Sequence, residues 1–342
     1  MDVVILAVLL VIGFIVAFAI GSNDETMSPA VGARVFSVKA AVLLGAFINL
    51  IGAVFLGGGV SEKVGSDLIS GSVLSIDMVL AVLISMAIWL LVASSTKGLP
   101  ISTTQCIVGS VIGVALVAPA VGLSGWGAGT IDWQVMIQIF LGWIVSPIIG
   151  FIISGAFISI IRKILRKAQG FTGRERIEQI AAYGLAAFLI VTGLSRGGND
   201  VANAVAPLVN LEGFQTTFQF GLISIPGAII PLIVGGLGMG LGLIVVGRKV
   251  IRTLATEVVT LEPTTALAAS ISVAMVMFIG TLLGFPLSGT HVLVAALIAV
   301  GYVAKTPVKM KQVRDILISW VVTVPISAFF GAMVFAVVIM VF

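Results

Sequence analysis

The stretch Gly197-Gly198-Asn199-Asp200-Val201-Ala202-Asn203-Ala204 places a carboxylate and two amides inside an otherwise apolar part of the chain. Residues 180–194 before it are almost wholly hydrophobic, and another long apolar run follows Phe214. An ionisable side chain in such surroundings is costly, so it indicates a functional site. The two glycines allow the helix to break, which would bring backbone carbonyl and amide groups close to a bound ion.

The polar stretch has a degenerate copy near the start of the chain, Ile20-Gly21-Ser22-Asn23-Asp24, 176 positions earlier. A second echo pairs the segment 98–105 (GLPISTTQ) with 284–291 (GFPLSGTH) at an offset of 186. A third pairs 141–146 with 318–323 at an offset of 177. Because the three echoes occur in the same order at similar offsets, they predict an internal repeat.

Composition indicates a membrane protein, since only 9% of the 342 residues are charged and 59% are hydrophobic. A soluble domain carries roughly 25% charged residues. At about 20 residues per crossing, the chain has room for on the order of ten to twelve transmembrane segments. The single Cys106 excludes a disulfide framework and a cysteine metal cluster, and the single His291 excludes a histidine-rich metal site.

The apolar runs divide into two sets of five, near 3–20, 38–57, 78–96, 99–118 and 133–161, and near 180–195, 215–247, 264–284, 286–304 and 315–342. An odd number of runs per half makes the second half enter the membrane in the opposite sense. The sequence therefore predicts an all-α polytopic membrane protein of two inverted-topology repeats, 1–161 and 180–342. Their broken helices are expected to meet at the membrane midplane.

The linker 162–179 between the halves contains six arginines and lysines. Cytoplasmic loops carry such an excess, so we predict a cytoplasmic linker and both termini outside a plasma membrane. The basic residues of several other connections agree with this orientation (Arg34, Lys39, Lys97, Arg248, Lys249, Arg252, Lys305, Lys309, Lys311 and Arg314). The net charge of +4 is then explained by orientation and indicates no nucleic-acid partner.

An anion site is predicted from the second echo, where Pro100 and Pro286 fit the first turn of a helix. Free backbone N–H groups and the positive dipole end favour an anion at such a terminus, and hydroxyls add donors. The alternative is that these residues only cap a hairpin between two spans. The candidate anion ligands are Ser102, Thr103, Thr104, Gln105, Ser288, Gly289, Thr290 and His291.

A cation site is predicted from the first echo, where Asn23, Asp24, Asn199 and Asp200 supply oxygen ligands. Oxygen ligands on unwound backbone suit a hard cation such as Na⁺. The alternatives are that the carboxylates cap helices or relay protons. Arg196 borders the second copy and could offer a guanidinium to an anion, although an arginine more often flanks the end of a span.

These motifs carry a resemblance to the inorganic phosphate transporter (Pit) family. Residues 198–204 (GNDVANA) and 21–24 (GSND) are similar to its signature, and 286–291 and 100–105 resemble its second repeated motif. The resemblance implies a secondary phosphate transporter of the sodium/phosphate symporter type, built from inverted repeats and commonly dimeric. The first copy departs from the second by reading Glu25-Thr26-Met27-Ser28 after its aspartate, so the two ion sites need not be equivalent.

The function predicted from these observations is import of inorganic phosphate by symport with Na⁺, with alternating access around a midplane site. The implied partners are phosphate, Na⁺, the lipid bilayer and a second copy of the chain, with no cofactor or metal besides the coupling ion. An H⁺-coupled symporter of phosphate or a related oxyanion is the alternative, followed by an anion channel. A membrane enzyme would need a nucleophile or a metal-bound water with a general base. It is not expected, because the sequence has one His, one Cys and no evident cluster of carboxylates.

Overall fold

The computed structural model describes residues 3–66, 68–70, 74–96, 100–168, 170–209, 211–220 and 223–341. Lys97 and the first two residues of the echo at 98–105 lie outside the described residues, as do the outermost positions of the two predicted repeats. In the first half the helices are α1 (Val3–Ser22), α2 (Ser28–Gly32), α3 (Val38–Ser66), α4 (Ile76–Thr96), α5 (Thr103–Val117) and α6 (Trp133–Lys167).

The second half contains α7 (Gly170–Val209), α8 (Ile229–Gly242), a π-helical turn (Leu243–Gly247), α9 (Arg248–Glu257), α10 (Pro263–Leu282), α11 (Gly289–Ala304) and α12 (Met310–Val341). Within the described ranges, nine helices are long and apolar enough to cross a membrane, and α11 is a shorter apolar helix. The predicted all-α polytopic class is therefore confirmed.

One predicted span is shorter than its apolar run. Residues 215–247 do not form a single helix, because strands β1 (Thr217–Phe220) and β2 (Ile223–Pro226) form an antiparallel hairpin before α8. Threonine and phenylalanine favour strands. Gly227 closes the hairpin by donating its backbone N–H to the carbonyl of Thr216 at 2.7 Å. Hydropathy alone cannot separate such a hairpin from the start of a span.

The two short helices α5 and α11 begin with the same cap. Ser102 and Ser288 accept hydrogen bonds from the backbone N–H groups of Gln105 and His291, three residues further on. The prolines therefore precede the caps and do not lie in the first turn as predicted, because serine is a preferred capping residue. A helix of 15 or 16 residues is about 24 Å long, so α5 and α11 are shorter than a hydrocarbon core of about 30 Å.

Each of the main helix contacts between the two halves has a counterpart in which the corresponding helices of the two halves are exchanged. Helix α5 packs against α12, and its counterpart α11 packs against α6. Likewise α3 packs against α7 while α8 packs against α1, and α4 contacts α12 while α10 contacts α6. The order of contacts is the one that a repeat of the two halves would produce. This packing brings the end of α1, the middle of α7 and the starts of α5 and α11 together in the interior.

Candidate functional site

Four charged side chains lie together in the protein interior, and we call Asp24, Glu25, Arg196 and Asp200 the ionic cluster. Arg196 is 4% exposed, and each of the three acidic residues is 1% exposed. Asp24 and Glu25 lie in the turn between α1 and α2, whereas Arg196 and Asp200 lie one turn apart on α7. The cluster thus joins the two copies of the polar motif.

The two copies have different backbones. Helix α1 ends at Ser22, as the broken-helix prediction requires, but α7 runs without interruption through Gly197 and Gly198 to Val209. These glycines permit close packing on α3, since a Cβ atom at Gly197 would lie 2.1 Å from the carbonyl oxygen of Asn49. The predicted break at the second copy is therefore wrong.

Arg196 contacts all three acidic residues of the cluster. Its Nη2 lies 3.1 Å from Oε1 of Glu25 and 3.8 Å from Oδ1 of Asp24. Its Nε lies 2.9 Å from Oδ2 of Asp200, an ion-pair distance at which the angles fall outside those of a hydrogen bond. One guanidinium thus faces three carboxylates, which leaves the cluster with a formal charge of −2 when all four groups are ionised.

Neutral donors hold the carboxylates in place. Asp24 accepts hydrogen bonds from the backbone N–H and hydroxyl of Thr26, at 2.9 and 2.6 Å, and from Nδ2 of Asn49 at 2.7 Å. Two of the predicted phosphate ligands also point into the cluster. Thr103 at the start of α5 donates to Asp200 at 3.1 Å, and Thr290 at the start of α11 donates to Glu25 at 2.8 Å.

Arg196 occupies the start of α11. A Cβ atom built on Gly289 would lie 1.8 Å from Nη1 of Arg196, so only glycine leaves room for the guanidinium there. The equivalent position in the first half is Thr103. Arg196 is therefore central to the site and does not flank the end of a span, as the more common role of such an arginine suggested.

The two predicted amide ligands hold the loops that precede the short helices. Asn23 donates to the hydroxyl of Ser94 at 2.9 Å and accepts from the backbone N–H of Ile101 at 3.0 Å. Asn199 donates to the carbonyl of Phe285 at 2.9 Å, and its Oδ1 has no hydrogen-bond partner among the described residues. Each amide thus fixes a short helix of its own half.

The remaining predicted ligands lie around the cluster and not within it. Thr104 donates to the carbonyl of Leu287 at 3.0 Å, which connects α5 to the loop before α11. The His291 ring lies 3.8 Å from the ring of Trp320, and its Nδ1 is 3.4 Å from the carbonyl oxygen of Trp143. Gln105 is buried, and its Oε1 has no hydrogen-bond partner in the described part of the chain.

Sequence reasoning missed the roles of Glu25, Asn49 and Ser270. Glu25 could have been found, since it is a second acidic residue directly after Asp24 in an apolar region, but it has no counterpart in the second copy. Asn49 and Ser270 belong to no motif. A small cavity, about large enough for one water molecule, is lined by Glu25, Ser270, Arg196 and Gly289 among others. Both Oε2 of Glu25 and Oγ of Ser270 are buried and have no hydrogen-bond partner in the described residues.

This arrangement combines ligands for cations and for an oxyanion. Carboxylate, amide and hydroxyl oxygens are the ligands that hard cations prefer. A guanidinium binds an oxyanion through two parallel hydrogen bonds, and helix N-termini add backbone donors. A centre that can hold both kinds of ion, buried among apolar helices, is typical of ion-coupled transport.

Comparisons with known proteins identify the family of the chain. A sequence profile of the Phosphate transporter family matches residues 20–331. The chain is 29% identical to a protein of Thermococcus kodakarensis named "Putative phosphate permease", with 98% of each chain covered. A protein of the same name in Pyrococcus furiosus is 30% identical, with 97% of this chain and 95% of the relative covered.

A solved structure described as "The sodium-dependent phosphate transporter" has a similar fold. Its TM-score is 0.84 at 26% identity, and the match covers 99% of this chain and 100% of that chain. The family match and the fold assign the chain to transport and not to enzymatic catalysis. With its apolar helices and its buried ionic cluster, this multi-pass membrane protein belongs to the phosphate transporter family.

Proposed function

We propose that the protein imports inorganic phosphate by symport with Na⁺. The observation that carries this proposal is the ionic cluster, in which three carboxylates and one guanidinium meet the N-termini of α5 and α11. The similarity to a sodium-dependent phosphate transporter supports the choice of Na⁺. In this proposal the Na⁺ ligands come from Asn23, Asp24, Asn199 and Asp200, and the phosphate ligands come from the first turns of α5 and α11.

Electrostatics requires that phosphate enters together with cations. Phosphate carries between one and two negative charges near neutral pH, and a negative-inside potential opposes entry by about 2.3 kcal/mol per charge per 100 mV. Enough cations must accompany it to cancel this charge. The excess of carboxylates in the cluster gives those cations a place to bind.

We further propose that access alternates between two inverted repeats, 1–161 and 180–342, connected by the linker 162–179. The exchanged packing of the two halves supports this division. The residues of the ionic cluster are at most 4% exposed, which is typical of a site closed to both sides. Movement of one repeat against the other would then open the site to one side at a time.

Uptake into liposomes tests the proposed function. The purified protein should take up ³²P-phosphate when Na⁺ is present outside, and much less when choline replaces Na⁺. Uptake that ignores Na⁺ but follows a pH gradient would assign the coupling to H⁺. Uptake that follows only the phosphate gradient and the membrane potential would indicate an anion channel and contradict symport.

Replacing Thr290 or Thr104 by Val tests the anion site, because each substitution removes a hydroxyl donor and nearly keeps the side-chain size. A hydrogen bond to a charged group contributes about 1.5–3 kcal/mol, so phosphate affinity should fall roughly ten- to a hundredfold. Thr256→Val is the matched control, since that hydroxyl donates to the carbonyl of Arg252 on the exposed side of α9. Unchanged phosphate affinity in both test variants would place the anion elsewhere.

Orientation can be tested by labelling single cysteines in a Cys106→Ala background. We propose that the protein lies in the plasma membrane as a homodimer, with the linker in the cytoplasm and both termini outside. Lys167 and Gly129 are both exposed. On intact cells, a membrane-impermeant maleimide should label Gly129→Cys and should not label Lys167→Cys. Labelling of the opposite member of the pair would invert the proposed orientation.

A further inference from the structure

We propose that Arg196 changes partners during each transport cycle. In the structure the guanidinium contacts the carboxylates of Glu25 and Asp200. Cations that bind these carboxylates release it, and an oxyanion then binds it. This inference rests on the proposed function, because it explains how cation binding prepares the site for phosphate.

Arg196 and Glu25 are not part of the repeat, which separates them from the motif residues. At the offset of 176 that relates Asp24 to Asp200, Arg196 corresponds to Ile20 and Glu25 corresponds to Val201. Each half thus contributes one charged residue that the other half lacks. Their contact at 3.1 Å joins the two halves directly, at the place where the proposed movement must separate or shift them.

The position of Arg196 favours a role as an anion ligand. The guanidinium lies over Gly289, the first residue of α11, where backbone N–H groups have no partner within the helix. An oxyanion bound there would contact the guanidinium and these N–H groups together. The carboxylates of Glu25 and Asp200 contact the guanidinium in the structure, so they compete with that oxyanion.

The carboxylates have room for a second partner. Only Oε1 of Glu25 is bound, by Arg196 and Thr290, whereas Oε2 is buried and has no hydrogen-bond partner in the described chain. Glu25 also lines the small cavity, together with Ser270. A cation bound by the carboxylates weakens their attraction for Arg196, which then becomes available to the anion. Cation and anion therefore bind cooperatively, and each raises the affinity of the other by the same factor.

The test is to measure two affinities separately in Arg196→Gln, with the protein in lipid nanodiscs. Binding of ²²Na⁺ without phosphate should become tighter by about tenfold, because the competing guanidinium is gone. Binding of ³²P-phosphate at saturating Na⁺ should become weaker by roughly ten- to a hundredfold, because the anion loses its charged ligand. A purely structural role for Arg196 would weaken both affinities together, and that result would overturn the proposal.

Two further variants sharpen the result. Arg196→Lys keeps the charge but loses the planar fork, so Na⁺ affinity should stay near that of the parent while phosphate affinity falls. Glu25→Gln removes a competing carboxylate, so phosphate affinity at low Na⁺ should rise even if Arg196→Gln does not fold. The matched control is Arg252→Gln, on the exposed side of α9, which should leave both affinities unchanged.

The experiment separates failure of this inference from failure of the proposed function. If phosphate binding to the parent protein does not depend on Na⁺, the proposed Na⁺ symport is wrong. If the parent shows that dependence, but Arg196→Gln lowers or preserves both affinities, only the exchange of partners is wrong. If Arg196→Gln does not fold, the same conclusion follows when Glu25→Gln does not raise phosphate affinity at low Na⁺.

Discussion

Replacing Asp200 by Asn is expected to remove most of the Na⁺ dependence of phosphate binding. The substitution takes away a carboxylate that lies 2.9 Å from Arg196 and introduces an amide whose oxygen can still accept the hydrogen bond from Thr103. Fewer negative charges then repel phosphate when Na⁺ is absent, and Na⁺ loses a ligand. The rise of phosphate affinity with Na⁺ concentration should therefore be reduced more strongly than the phosphate affinity at saturating Na⁺. Titrations of phosphate at several Na⁺ concentrations measure both.

Asp24→Asn should act in the same direction but with a smaller effect on stability. Asp24 is 3.8 Å from Arg196 and is held mainly by neutral donors from Thr26 and Asn49. Removing one partner of a buried ion pair costs about 3–5 kcal/mol of stability. This range is the upper limit for Asp200→Asn, because Arg196 retains its contact with Glu25. Thermal unfolding in detergent would compare the two variants.

A surface carboxylate provides the control for both variants. Asp315 pairs with Arg314 at 3.3 Å, but these side chains are 36% and 68% exposed. Exposed pairs contribute about 0–1 kcal/mol, so Asp315→Asn should change neither stability nor the Na⁺ dependence by much. An unchanged Na⁺ dependence in both Asp24→Asn and Asp200→Asn would remove these carboxylates from the coupling mechanism.

The class of fold could be predicted from the sequence because a membrane imposes strong constraints on the chain. Every spanning segment must be apolar and must satisfy its own backbone hydrogen bonds, so long apolar runs predict helices. The hairpin before α8 escaped this reasoning, because residues 215–227 contain several large apolar side chains and lead directly into the more apolar helix that follows. Helix breaks were also hard to predict, since glycines serve both for breaks and for close packing.

Part of the candidate site could be predicted because its motifs recur, with some substitutions, in both halves of the chain. Asp24 and Asp200 do meet at one centre, with Thr103 and Thr290 beside them. The partners that distinguish this centre occur once each, so the repeat gave no signal for them. Glu25 and Arg196 are brought together by packing between the halves, which a single sequence does not reveal.

Local hydrogen bonding explains why some predicted ligands have other contacts. An amide next to a helix terminus can bind nearby backbone groups, and Asn23 and Asn199 both do so with the loops before α5 and α11. The His291 ring packs against the ring of Trp320, with the two ring centroids 3.8 Å apart. Neither contact is encoded by spacing along the chain.

The second large effect is expected from Gly52→Ala, at the crossing of α3 and α7. A Cβ atom there would lie 2.0 Å from the carbonyl oxygen of Leu194. That oxygen belongs to the backbone of α7, so it can move away only if the helix moves. The same helices carry Asn49, which binds Asp24, and Arg196. Overpacking of this kind costs about 1–3 kcal/mol, so both stability and phosphate uptake should fall.

Gly58→Ala on the same helix provides the matched comparison. An added Cβ at Gly58 would meet no atom within 4 Å. Alanine is a better helix former than glycine by about 1 kcal/mol, so this variant should be slightly more stable than the parent and should transport normally. The two identical substitutions are thus expected to have opposite signs in thermal unfolding. If Gly52→Ala proves as stable and as active as Gly58→Ala, the crossing of α3 and α7 does not require glycine.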